Sequence, residues 1–195
     1  MATRSASRNS TVQESAWTPP TIKGIFVNSH IRAVEKAHGP EGRARLETLV
    51  GQPLDFTASQ DVPVSFEVRV IEAAVELLVD HPVAQEDVGF EAGRLHYRNF
   101  KGTPWAKVIF GMFPRDFAFM VRHSPIIAER VFKGVTFEAM ELGPKTLKLV
   151  MGNADYPLDH FKGFFQEWMR DYGLLGSVVG QAVTARRFDY IMTWR

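Results

Sequence analysis

The last third of the chain changes its apolar period twice, and that alternation limits the folds open to it. Val135, Phe137 and Ala139 alternate with Thr136, Glu138 and Met140. Beyond Gly143-Pro144, Leu147, Leu149 and Met151 alternate with Thr146, Lys148 and Val150. Side chains on a strand point to opposite faces in turn, so this is a hairpin pattern around a Gly-Pro turn. From Asp159 to Tyr172 the period becomes helical: Phe161, Phe164, Phe165, Trp168, Met169 and Tyr172 share a face, with Asp159 as cap and Gly173 as stop. Val178 to Ala185 and Phe188 to Trp194 return to period two, turning at Arg186-Arg187. Phe188, Tyr190, Met192 and Trp194 lie on one face of the last strand, so the C-terminus is expected to be part of the fold. Two half-apolar hairpins around one aromatic helix must bury those faces against each other. The expected class is α+β: a helical layer on an antiparallel sheet of about four strands, with an N-terminal strand.

Upstream, the pattern is mostly helical. Residues 1–20 read as a disordered tail, polar and without an apolar block, and 21–195 as a single domain. Thr21 to Val27 reads as a strand. Asn28 or Ser29 is suited to cap a helix to His38, and Gly39-Pro40 separates it from a second helix ending at Val50. Pro63 to Val79 is expected to be the central helix. Ser65, Arg69, Glu72, Glu76 and Asp80 form one narrow polar stripe, and apolar residues fill most of the remaining circumference. A helix over Val83 to Phe100 carries Gly89 and Gly93 four residues apart, a face suited to close approach by another helix. Three short helices are expected to start at Pro104, Pro114 and Pro125. Their large apolar side chains either close a core or line a cavity.

Composition excludes some classes of function. The net charge is +1, without the basic excess of a dedicated nucleic-acid binder. There is no cysteine, which removes disulfides, thiolate ligands and thiol nucleophiles and suits a reducing cytoplasm. No apolar run is long enough to span a bilayer.

Residues able to carry chemistry are scattered. None of the six histidines, His30, His38, His81, His96, His123 and His160, has the four-residue spacing of a helical metal site. His123, near the end of an aromatic helix, is the best placed to ligate a heme iron, although a helix-terminal histidine needs no such role. Glu67 projects into the apolar arc of the central helix and is expected to sit where the helix end meets solvent. Arg94, Arg98 and Lys101 form a basic row that reads as a solvated face. No nucleophile elbow or dinucleotide loop occurs, so no catalytic residue is assigned and an enzyme is not expected.

The stretch Asp87-Val88-Gly89-Phe90-Glu91-Ala92-Gly93, with Lys101-Gly102-Thr103-Pro104-Trp105, resembles an uncharacterised paralogous family expanded in myxobacteria. The Phe137–Leu142 strand, Gly143-Pro144, Gly163, Gly173 and the terminal Tyr190 and Trp194 extend the resemblance over about residues 20 to 195. The element order is more remotely similar to heme-nitric-oxide-binding domains, four-vinyl-reductase-type domains and trafficking-particle subunits of the Bet-three type. That resemblance implies helices over a sheet with a ligand cavity between them. The Tyr-x-Ser-x-Arg heme clamp of such domains has no counterpart between Leu147 and Asn153, and the cysteines of some four-vinyl-reductase domains are missing.

The expected function is therefore a non-enzymatic, cytoplasmic bacterial signalling module that binds an apolar small molecule. Phe110, Phe113, Phe117, Met120 and Phe137 are its candidate pocket residues, with no metal and no cofactor, heme included. The alternative is a homodimeric interaction module with a packed core and no ligand.

Overall fold

The computed structural model describes residues 17–195. Strand β1 (Thr21–Lys23) pairs antiparallel with β2 (Asp61–Pro63) and β3 (Phe132–Lys133), forming a small sheet of order β2-β1-β3. Period-two reading does not reveal a ladder this short. Trp17, which the sequence reading placed in the tail, donates through Nε1 to Asn153 Oδ1 at 2.6 Å and lies under the Arg186 guanidinium. Residues 1–16 of that tail lie outside the described residues.

Helix α1 spans Gly24–Val50, so the expected strand to Val27 is cut short. Asn28 and Ser29 lie inside α1 rather than at its start; Asn28 Nδ2 instead donates to the carbonyl of Phe56. The break at Gly39-Pro40 is a kink within one helix, with Gly39 at φ 65°, a conformation glycine adopts without a Cβ clash. Helix α2 (Val64–Leu78) is the expected central helix, and the residues of its polar stripe are exposed or half-buried. After a single 3-10 turn at Gln85–Asp87 come α3 (Val88–Gly102), α4 (Pro104–Met112) and α5 (Phe117–Val131).

Thr103 caps α4, its hydroxyl accepting from the Ala106 amide. The other two proline starts are corrected. Pro114 lies in the loop before α5, where Asp116 is the cap. Pro125 sits within α5. Proline there removes the N–H that would reach the Val121 carbonyl, and the Ser124 hydroxyl donates to that carbonyl instead, at 2.7 Å.

The main sheet has strands β4 (Thr136–Gly143), β5 (Thr146–Gly152), β6 (Gly176–Thr184) and β7 (Arg187–Trp194) in the order β4-β5-β7-β6, all antiparallel. The last strand is thus interior to the sheet, with Leu149 opposite Tyr190. Helix α6 (Leu158–Asp171) buries Phe161, Phe165, Trp168 and Met169 against a sheet face that buries Leu147, Leu149, Met151, Phe188, Tyr190 and Met192. Trp194 is only partly buried and meets Phe117 edge-on. The opposite side of α6 packs along α3, which in turn contacts α1 and α2. The chain is α+β, and α6 and α3 lie between the sheet and the N-terminal helices. Among the described residues no helix is long and apolar enough to cross a membrane.

Candidate functional site

Four helices each send one ionisable side chain to the same buried point. His30 comes from α1, Glu67 from α2, His96 from α3 and His160 from α6, and none is more than 3% exposed. His30 Nε2 lies 2.8 Å from Glu67 Oε1, and Asn99 Nδ2 lies 3.0 Å from the other nitrogen of that ring. His96 Nδ1 is 3.5 Å from the same Glu67 oxygen and 2.9 Å from His160 Nε2. One ligand atom from each of His30, Glu67 and His96 falls within a mutual spread of 4.8 Å. Tyr156 stacks obliquely on His160, with ring centroids 4.7 Å apart. Of the six buried side-chain polar atoms without a partner among the described residues, three lie here: Glu67 Oε2, His160 Nδ1 and the Tyr156 hydroxyl. Buried polar atoms are nearly always hydrogen-bonded, so this concentration of unpartnered atoms at one point marks the site.

A close helix crossing makes the convergence possible. A Cβ on Gly93 would lie 1.7 Å from the His160 carbonyl oxygen, and one on Gly163 would lie 1.9 Å from that of Phe90. The α3 and α6 backbones therefore touch, and His96 and His160 meet across that contact.

Burial sets the charge state of the cluster. It lowers His96 to about 4 against the opposing pull of Glu67, and it lowers His160 to about 3, aided by neighbouring His96. For Glu67 burial acts upward, but the surrounding imidazoles outweigh it and hold the carboxyl at about 2. Burial, and then the Glu67 charge, push the Tyr156 hydroxyl well up, so it stays protonated. At neutral pH a fully buried carboxylate thus faces neutral His96 and His160. Among the described residues no lysine or arginine pairs with it.

Beside the cluster lies an apolar cavity of about 60 Å³. His96 forms part of its wall, with residues of α3 to α6, β4 and the α5–β3 junction supplying the rest. Of the pocket residues expected from sequence, Phe110, Met120 and Phe137 line this cavity. Phe113 instead packs on Phe119 and His123, and Phe117 is enclosed by Trp168, Tyr172 and Trp194. His123 lies away from both cavity and cluster. It stacks on Phe119 at 4.0 Å and uses Nδ1 on the carbonyl of Phe119, one turn back.

Two further readings change with the structure. Glu67 does not meet solvent at the helix end; it is fully buried. The row Arg94, Arg98 and Lys101 is not a free face, since it pairs with Glu91, Glu167 and Asp171, mainly across to α6. The Gly89/Gly93 face admits the close approach of another helix as expected, and that helix is α6 of the same chain. The sequence did flag Glu67 as an acid in an apolar arc. It could not show that the partners of Glu67 lie 37, 29 and 93 residues away in three other helices.

The fold is similar to that of solved H-NOX domains. An Fe(II) unliganded H-NOX protein from K. algicida aligns with TM-score 0.63 and 12% identity, covering 89% of this chain and 97% of that one. An oxygen-binding H-NOX domain related to soluble guanylate cyclases, in its oxygen complex, aligns with TM-score 0.65 and 16% identity over 89% and 95%. A protein solved in work on modulating heme redox potential through protein-induced porphyrin distortion gives 0.65 and 15% over the same shares. A search of curated proteins returns no match. The expectation of no cofactor, heme included, is corrected by these findings. Solved neighbours include H-NOX domains and a protein from work on heme redox potential, and a buried histidine-rich site stands where sequence spacing gave no converging donors. Residues 17–195 match throughout the family described as protein of unknown function (DUF2378), and the chain belongs to that family.

Proposed function

We propose that this chain is a ligand-sensing domain in which a small apolar ligand occupies the cavity and a cofactor at the buried histidine cluster responds to it. The observation that carries this reading is the shared wall. The His96 ring lines the cavity, while its Nδ1 meets Glu67 and His160. A ligand in the cavity therefore touches a ring that belongs to the cluster. Binding rather than catalysis is favoured by the lining, which contains no carboxylate, lysine or arginine, and whose one histidine is kept neutral by burial. Drug-sized ligands occupy about 300–1,000 Å³. A space of about 60 Å³ suits a diatomic gas or a molecule of similar size.

A second reading takes the cofactor to be heme, as the H-NOX neighbours suggest. The donor chemistry fits it: His96 is a neutral imidazole with a carboxylate on its Nδ1 side, the arrangement that orients and strengthens a metal-ligating histidine. Its Nε2 has no protein partner among the described residues. When bound, heme iron would supply binding of diatomic gases. The cavity is smaller than a porphyrin, so this reading requires its aromatic lining to move aside.

Xenon is the direct probe of the cavity, because dry apolar cavities take it up. Saturable NMR shifts confined to α3, α5 and α6, and abolished in Ala128→Leu, are the expected result; shifts spread over the surface would contradict it. Hemin titration decides the second reading. A Soret band at one heme per chain, lost in His96→Ala and kept in His123→Ala, would establish it.

A further inference from the structure

We propose that the cluster binds one first-row divalent metal ion directly, through His30 Nε2, the Glu67 carboxylate and His96 Nδ1, with His160 Nε2 2.9 Å from that last nitrogen. This deepens the sensing reading by naming its cofactor, yet it stands on the cluster alone. Ligand atoms about 2.0–2.2 Å from one ion lie roughly 3.0–3.5 Å from each other at tetrahedral or octahedral angles. The separations of 2.8 Å between His30 and Glu67 and 3.5 Å between Glu67 and His96 bracket that spacing, and the three ligand atoms lie within 4.8 Å of one another.

Three features of the surroundings point the same way. The carboxylate is fully buried, and its only ion-pair partners among the described residues are imidazoles, with no arginine or lysine; a buried charge is costly unless it is paired. Its Oε2 is unpartnered, which leaves an oxygen free for coordination. Asn99 stands behind His30 at the nitrogen remote from Glu67. With the Asn99 amide turned so that its oxygen faces the ring, it would accept the Nδ1–H of a His30 ligating through Nε2, the usual outer partner of a metal-bound histidine. An imidazole-rich set with one carboxylate selects zinc, iron, cobalt, nickel or copper. Calcium and magnesium take oxygen ligands and are excluded.

Cobalt is the test ion, because its visible d–d bands report the ligand set. The full chain is produced in cobalt-supplemented medium, so that the ion is present during folding, and is then examined by native mass spectrometry and absorption. The expected result is one cobalt per chain, retained through a brief chelator wash, with the band intensity of a four-coordinate site. Glu67→Gln is expected to lower occupancy at least tenfold, and His81→Gln, at an exposed histidine, to leave it unchanged. Folded wild-type protein that holds less than a tenth of an ion per chain after cobalt, zinc and iron supplementation overturns the proposal, whatever the variants do. The xenon measurement keeps the two readings separate. Xenon shifts in protein that takes up no metal under supplementation would leave the cavity standing while removing the metal site. Stoichiometric cobalt without a xenon response would do the reverse.

Discussion

Gly93→Ala tests the helix crossing on which the whole site depends. The added methyl would sit 1.7 Å from the His160 carbonyl oxygen and 2.9 Å from the Phe164 amide nitrogen. Both are backbone atoms and cannot rotate away, so α3 and α6 must separate. Overpacking of a core costs about 1–3 kcal/mol, and a contact this short against backbone belongs at the upper end. Separation also lengthens the His96–His160 hydrogen bond, a further ~1 kcal/mol. Alanine returns about 1 kcal/mol through its better helix propensity. The net loss is about 3 kcal/mol, which for a chain of this size lowers Tm by roughly 6–12 °C. Gly89→Ala is the internal control, because its methyl would meet Pro157 and Asp159 side chains at 3.6 and 3.8 Å, ordinary contact distances. That variant should be neutral or up to about 1 kcal/mol more stable. Thermal unfolding followed by circular dichroism compares the two. If Gly93→Ala melts with the wild type, the backbones are not in contact and the convergence of His96 on His160 loses its basis.

The metal-free protein should be acid-sensitive. His96 and His160 titrate below their ordinary value of 6.5, at about 4 and about 3, so the unfolded chain binds protons that the folded one refuses. Stability therefore falls as pH drops below 6.5, and Glu67, lowered from 4.5 to about 2, adds a loss of the same sign below pH 4.5. Several kcal/mol should disappear between pH 7 and pH 4 in urea titrations; a flat profile would show that the imidazoles are not held neutral. On β7, Tyr190→Ala should cost about 3–5 kcal/mol, because Tyr190 is fully buried against Phe161 and Phe165. Trp194→Ala should cost clearly less, since that ring is only partly covered, and equal losses in denaturant midpoints would contradict this placement. Thr103→Ala should lose about 1 kcal/mol with the α4 cap, readable as faster amide exchange in the first turn of α4.

The second half of the fold was legible because its signals are local. Period-two runs and the aromatic face of α6 lie within single elements, and the structure places each as a strand or helix of nearly the expected length. The helical half was less so. Pro125 reads as a helix start, yet the neighbouring Ser124 hydroxyl takes over the lost hydrogen bond, and α5 continues through it. The site itself was hidden for a topological reason. His30, His96 and His160 each sit in a different helix among mixed polar and apolar neighbours, and only the packing of α1, α2, α3 and α6 brings them to Glu67. Glu67 was the one residue whose local setting gave a warning, an acid where a helix is otherwise apolar. The aromatic excess around α4 and α5 did lead toward the cavity region. The inward or outward direction of each ring depends on the α4–α5 turn, which sends Phe113 to His123 rather than inward.

X-ray absorption at the metal edge of protein purified from its native host tests the central claim most directly, because it reads the ligand set of the ion the protein carries. One metal per chain, with imidazole scattering from two or three histidines and an oxygen at about 2.0–2.2 Å, is the predicted spectrum. A four-nitrogen porphyrin pattern, or a folded protein with no transition metal at all, would contradict it.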